Sequence, residues 1–231
     1  MRVVSAFRAL WFGAATPYRV PETPLTALLA VFAVAVLTMS LADAAAAIVE
    51  WRNETLLSQS MLLGPQSGSA DSALVRDLPQ REFTAALGGS LMENIIASLV
   101  MSGFLLVLVR FMTNAAVTFP MALVCVSATA LIQVADVGVS SAIHVFTGSI
   151  QYGLHAGSFV NPALSPAWFT ALQKTSVFSL WQYLSATSAL AVWGGLHWRY
   201  GLITGAVAWV VTRLLFALFT LISWMVAQLT P

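Results

Sequence analysis

An all-α, polytopic membrane bundle is the fold this sequence predicts, and three observations carry the prediction. Hydrophobic residues make up 59% of the 231-residue chain and charged residues only 8%. A soluble domain carries about 25% charged residues, so lipid is the solvent that fits this composition. Five apolar runs each approach the roughly 20 residues that a helix needs to cross a hydrocarbon core. The charges gather between those runs, with few inside them.

The first predicted span is Leu25 to Val49, uncharged until Asp43. The second is Leu91 to Phe111, with Glu93 near its start, and the third is Ala115 to Ala135, with no charge. The fourth is Val177 to Leu196, and the fifth is Gly201 to Ala227, interrupted only by Arg213. Val137 to Leu154 is nearly long enough to cross, yet it holds His144, Gln151, three glycines and several hydroxyls. Such a segment is tolerated at depth only under cover of protein or water. It reads as re-entrant or interfacial, with a sixth span as the alternative.

Residues 1–24 form a separate cytoplasmic segment ahead of the first span. Val3, Phe7, Leu10 and Trp11 share one helical face, with Arg2 and Arg8 off it, the pattern of an amphipathic helix lying in the membrane surface. Thr16-Pro17 ends that helix, because the residue before proline disfavours helical backbone, and Pro21 and Pro24 make a stiff elbow. Residues 25–231 then form one transmembrane helical domain with an outer loop at about 50–90. Within the loop, Gly64 to Ser69 reads as a turn and Asp71 to Phe83 as a short surface helix.

Arginine placement sets the orientation. Arg2, Arg8 and Arg19 against Glu22 put the N-terminus in the cytoplasm. The loop carries Arg52, Arg76 and Arg81 against Glu50, Glu54, Asp71, Asp77 and Glu82, and fits the outside. Five spans place both Arg110 and Arg199 inside and the C-terminus outside, whereas six would move Arg199 out. Charge therefore favours five. The bias toward alanine, valine, leucine and arginine suggests a prokaryotic cytoplasmic (inner) membrane.

Charges inside a membrane are the functional candidates, because each is costly there. Arg213, near the middle of the fifth span, is expected to face protein and pair with Asp43, Glu93 or Asp136. These carboxylates stand toward the outer ends of their spans. The functional reading is a transport or gating charge; the bland ones are a packing ion pair or an arginine that snorkels to the interface. If the three carboxylates converge, mutual repulsion favours a shared proton; if not, they are helix ends in water. Gly201 and Gly205 have the spacing that lets helices approach closely. Trp193 and Trp209 lie deep enough for their indole nitrogens to need partners.

Other chemistry finds no support. A single cysteine, Cys125, excludes an internal disulfide and a thiolate cluster. His144, His155 and His197 lack metal-binding spacing. There is no Gly-Lys phosphate loop and no Gly-x-Ser-x-Gly elbow. A net charge of +1 offers no field for nucleic acid. No cofactor and no enzymatic activity are expected.

The stretch Val177-Phe178-Ser179-Leu180-Trp181-Gln182-Tyr183-Leu184, followed by Gly194-Gly195 and the turn His197-Trp198-Arg199, resembles the Yip-domain membrane protein family, here its prokaryotic branch. Phe7-Arg8-Ala9-Leu10 with Thr16-Pro17 and Pro21 is similar to that family's entry into its first span. Thr175-Ser176-Val177 departs from the acidic or amide residue often found before the phenylalanine. The resemblance implies five spans and a cytoplasmic N-terminus. It implies partners rather than catalysis: small GTPases for eukaryotic members, exporter complexes for some bacterial ones.

Two functions follow as expectations. One is a non-enzymatic scaffold or accessory subunit packed against other membrane subunits, such as those of an ABC-type exporter. The other is a small transporter or channel using Arg213 and the intramembrane carboxylates.

Overall fold

Hydrophobic runs of this length leave the backbone no partner but itself in lipid, and helices result. The computed structural model describes residues 25–62, 72–149, 152–161 and 163–229. Helix α1 is Leu25–Leu62, α2 is Ser72–Thr113, α3 is Phe119–Thr147, α4 is Pro166–Gln173, α5 is Val177–Trp193 and α6 is Trp198–Leu229. A short 3-10 turn, Ala156–Phe159, precedes α4. The expected amphipathic segment and proline elbow of residues 1–24 and the turn at Gly64–Ser69 lie outside the described residues.

Four helices are long and apolar enough to cross a membrane, through Leu29–Val49, Phe83–Thr113, Phe119–Thr147 and Trp198–Leu229. Helix α5, at 17 residues, is about 26 Å long at 1.5 Å per residue. The apolar side chains on the outside of these helices, among them Val34, Val100, Val107, Phe111 and Phe219, are exposed, as a lipid-facing surface requires.

Three expectations are corrected. The loop at 50–90 is largely helical: α1 continues to Leu62 and α2 begins at Ser72, so the expected surface helix at Asp71 to Phe83 is the first part of α2. The third span starts later and ends later than Ala115 to Ala135, because Pro120 in its first turn sets the start and Gly148 in left-handed backbone (φ 63°) sets the stop. Val137 to Leu154 is therefore not a separate segment. Its residues through Thr147 are the last turns of α3, and Gly148 ends the helix before Leu154.

The core lies at the end of the bundle where α2 turns into α3 and α5 into α6. Leu105, Val109, Val117, Cys125, Leu190 and Ala208 pack there in one cluster. Arg110 closes that end by donating from Nε (2.9 Å) and Nη2 (2.6 Å) to the Val117 carbonyl. Helices α5 and α6 cross at Gly201 and Gly205. A Cβ on Gly201 would lie 2.7 Å from the Ser188 backbone nitrogen, and one on Gly205 would lie 2.9 Å from the Tyr183 carbonyl oxygen. The Thr187 hydroxyl uses this closeness, donating across the crossing to the Gly201 carbonyl at 2.7 Å.

Candidate functional site

The other end of the bundle is polar. There α1 and α2 stand apart from α5 and α6, and a cavity of about 520 Å³ opens between them. Asp43, Glu93, Asp136 and Arg213, which come from four different helices, all line it. The structure thus brings the sequence-predicted charges to one chamber. The sequence-predicted Gly201 and Gly205 belong instead to the α5–α6 crossing.

Each wall is built from identifiable local structure. On the α1–α2 wall, the Asn94 amide donates to Asp43 Oδ2 at 2.8 Å and to Ser40 Oγ at 3.2 Å. This fixes Asp43 on a wall it shares with Glu93. On the opposite wall, Ser176 caps α5. Its Oγ accepts from the Ser179 N–H at 2.9 Å, and its own N–H donates to Ser179 Oγ at 3.2 Å, a reciprocal capping box. The Ser176 hydroxyl then donates to Asp136 Oδ2 at 2.6 Å. Asp136 consequently sits at the positive end of the α5 dipole. The Trp209 indole donates to Ser179 Oγ at 3.0 Å, tying α6 to the same corner.

Arg213 departs from its expected pairing. Among the described residues it makes no direct ion pair; its guanidinium carbon lies 5.9 Å from the centre of the Tyr183 ring, within cation–π range. Its buried Nε has no hydrogen-bond partner. Asp136 Oδ2 is instead engaged by the Ser176 hydroxyl. Asp136 and Arg213 attract each other at longer range than an ion pair.

Sequence reasoning did not bring His144, His155, Lys174 and Gln182 to this place, and all four line the chamber. His155 arrives through the segment after α3. It pairs with Ser176 in an isolated antiparallel bridge, and its ring stands edge-on to Phe169 of α4 at 6.2 Å. Gly153 and Gly157 close around it: a Cβ on either would lie 2.7 Å from Nε2 or 2.9 Å from Nδ1. The alternation Gly-x-His-x-Gly was the available signal, since a ring needs that space on both sides. Burial pushes the His155 pKa below the usual histidine value; His144 pushes it the same way and Asp136 opposes them. Among the described residues no three histidine, cysteine or acidic side chains are grouped to hold a metal ion.

No family model, curated protein or solved structure matches this chain.

Proposed function

We propose that this protein is a small transporter of the cytoplasmic membrane, with five spans, a cytoplasmic N-terminus and a solute-binding chamber between its helices. The observation that carries the reading is the convergence of Asp43, Glu93, Asp136 and Arg213 on one cavity. Charges within spanning helices oppose membrane insertion, by about 2.5–3.5 kcal/mol for one near the helix centre such as Arg213. A passive scaffold has no use for several of them facing the same space. The cavity volume falls within the roughly 300–1,000 Å³ typical of small-molecule sites. Five spans count α5 as a crossing, and the likeness to Yip-domain proteins supports that count.

The test starts from a Cys125→Ser background carrying Gln182→Cys. In sealed proteoliposomes a membrane-impermeant thiosulfonate should label Gln182→Cys from one side. Solutes accumulated by proteoliposomes from a cell extract, identified by mass spectrometry, should include species retained severalfold less by Arg213→Ala. An unreactive cysteine together with no difference in accumulated solutes removes the reading.

A second reading, an accessory subunit of a larger complex such as an exporter, is favoured by α6. Its buried residues are Gly201, Thr204, Gly205 and Ala208, and beyond Ala208 most of its large apolar side chains between Leu214 and Leu229 are exposed. Purification from native membranes in mild detergent should then recover stoichiometric membrane partners; a lone chain would dismiss it.

A further inference from the structure

We infer that the chamber recognises a zwitterion, with an ammonium group held by Asp43 and Glu93 and a phosphate or carboxylate held by Arg213 and Lys174. The inference rests on the transporter reading and specifies its ligand class.

The charges in the chamber are segregated. Asp43 and Glu93 belong to α1 and α2, and no cationic side chain within those spans faces them. Lys174 and Arg213 lie on the other wall, where they act on Asp136 electrostatically together with His155. Asp136 offsets one of those two positive charges and leaves the wall net positive. A solute with one charge would meet attraction on one wall and repulsion on the other. A molecule with both ends satisfies both.

Buried polar atoms make the same demand independently. Buried groups without partners are rare and costly. Gln182 is only 2% exposed and its Oε1 accepts nothing; this oxygen needs a donor. The Arg213 Nε–H donates to nothing and needs an acceptor. A ligand with both N–H donors and anionic oxygens can serve Gln182 Oε1 and the Arg213 Nε–H.

The same chemistry has two sources, a free amino acid or amino-phosphate and the head of an aminophospholipid. Glu93 is exposed at the edge of the chamber, and Ile96 and Val100, about one and two turns along the same face of α2, are exposed as well, so an acyl chain has an apolar surface to follow.

The test uses full-length protein in dodecyl maltoside at pH 7, titrated by thermal shift with phosphoethanolamine, ethanolamine and inorganic phosphate. Phosphoethanolamine is expected to bind at least tenfold more tightly than either half. Asp43→Asn should erase that advantage over phosphate, and Arg213→Gln should erase it over ethanolamine. Native mass spectrometry with phosphatidylethanolamine and phosphatidylglycerol identifies the source. Selective retention of phosphatidylethanolamine points to a lipid, and binding of phosphoethanolamine alone points to a soluble solute; both support the inference. Equal binding of ethanolamine or phosphate alone, or no response to phosphoethanolamine, overturns it. The wild-type comparison needs no variant to fold. Labelling of Gln182→Cys reports on the chamber separately, so a labelled cysteine with no zwitterion preference sinks the ligand class and leaves the transporter reading in place.

Discussion

At the scale of the residue, His155 joins the sequence to the chamber. Its ring fits because Gly153 and Gly157 leave room on both edges, and its depth holds its pKa below the usual value. A histidine lowered in this way binds a proton more readily in the unfolded chain. Its contribution to stability is therefore complete above about pH 6.5, the unperturbed histidine value, and is lost as pH falls through the lower folded value. Thermal unfolding in detergent should be flat above that pH and fall below it, by at most about 1.4 kcal/mol per pH unit for one proton. His155→Gln should flatten the acid limb; an unchanged limb would assign it to another group. Gly157→Ala probes the same cradle, because its added methyl would meet Nδ1 of the ring and the Gln173 backbone nitrogen at 3.1 Å. Overpacking of this kind costs about 1–3 kcal/mol.

At the scale of the element, the cap of α5 and the crossing of α5 with α6 hold the two ends of the bundle. Ser176 caps the helix and also binds Asp136. Ser176→Ala should lose about 1 kcal/mol for the cap and about 1.5–3 kcal/mol for the hydrogen bond to a carboxylate. Ser176→Thr should recover most of both, and thermal unfolding of the pair would show it. At the crossing, Gly201→Ala is expected to be the more damaging of the two glycine changes, because the atoms its methyl meets are backbone atoms of Thr187 and Ser188. Gly205 faces the movable Thr187 side chain as well as backbone. Equal losses in the two variants would argue against this packing. The crossing was legible in advance because small residues four apart leave a mark in any sequence. The bond from that cap to Asp136 was not: nothing in the sequence joins Ser176 to a residue forty positions earlier.

At the scale of the whole molecule, apolar length made the helices legible and could not fix where they end. Local stop signals did that, as at Gly148, which turned an ambiguous polar segment into the last turns of α3. Long-range partners were hidden for the same reason: nothing in the sequence spacing joins Lys174 or His155 to Asp43. Helix α5 decides the number of crossings. Helix α5 begins beside Asp136 and ends at Gly194, where an added Cβ would lie 2.8 Å from Val117 Cγ1, at the turn between α2 and α3. Helix α3 runs from that turn toward the chamber, so α5 returns antiparallel to it, and α6 goes back again. Helix α5 is shorter than the roughly 30 Å hydrocarbon core by only a few ångströms, a mismatch that local thinning of the bilayer absorbs. An odd number of crossings puts the two termini on opposite sides. A reporter that is active only in the cytoplasm should therefore work when fused to the N-terminus and fail on the C-terminus, and a periplasmic reporter should do the reverse. Both termini on one side would mean that α5 does not cross, and Lys174 and the mouth of the chamber would then have to be placed afresh relative to the membrane.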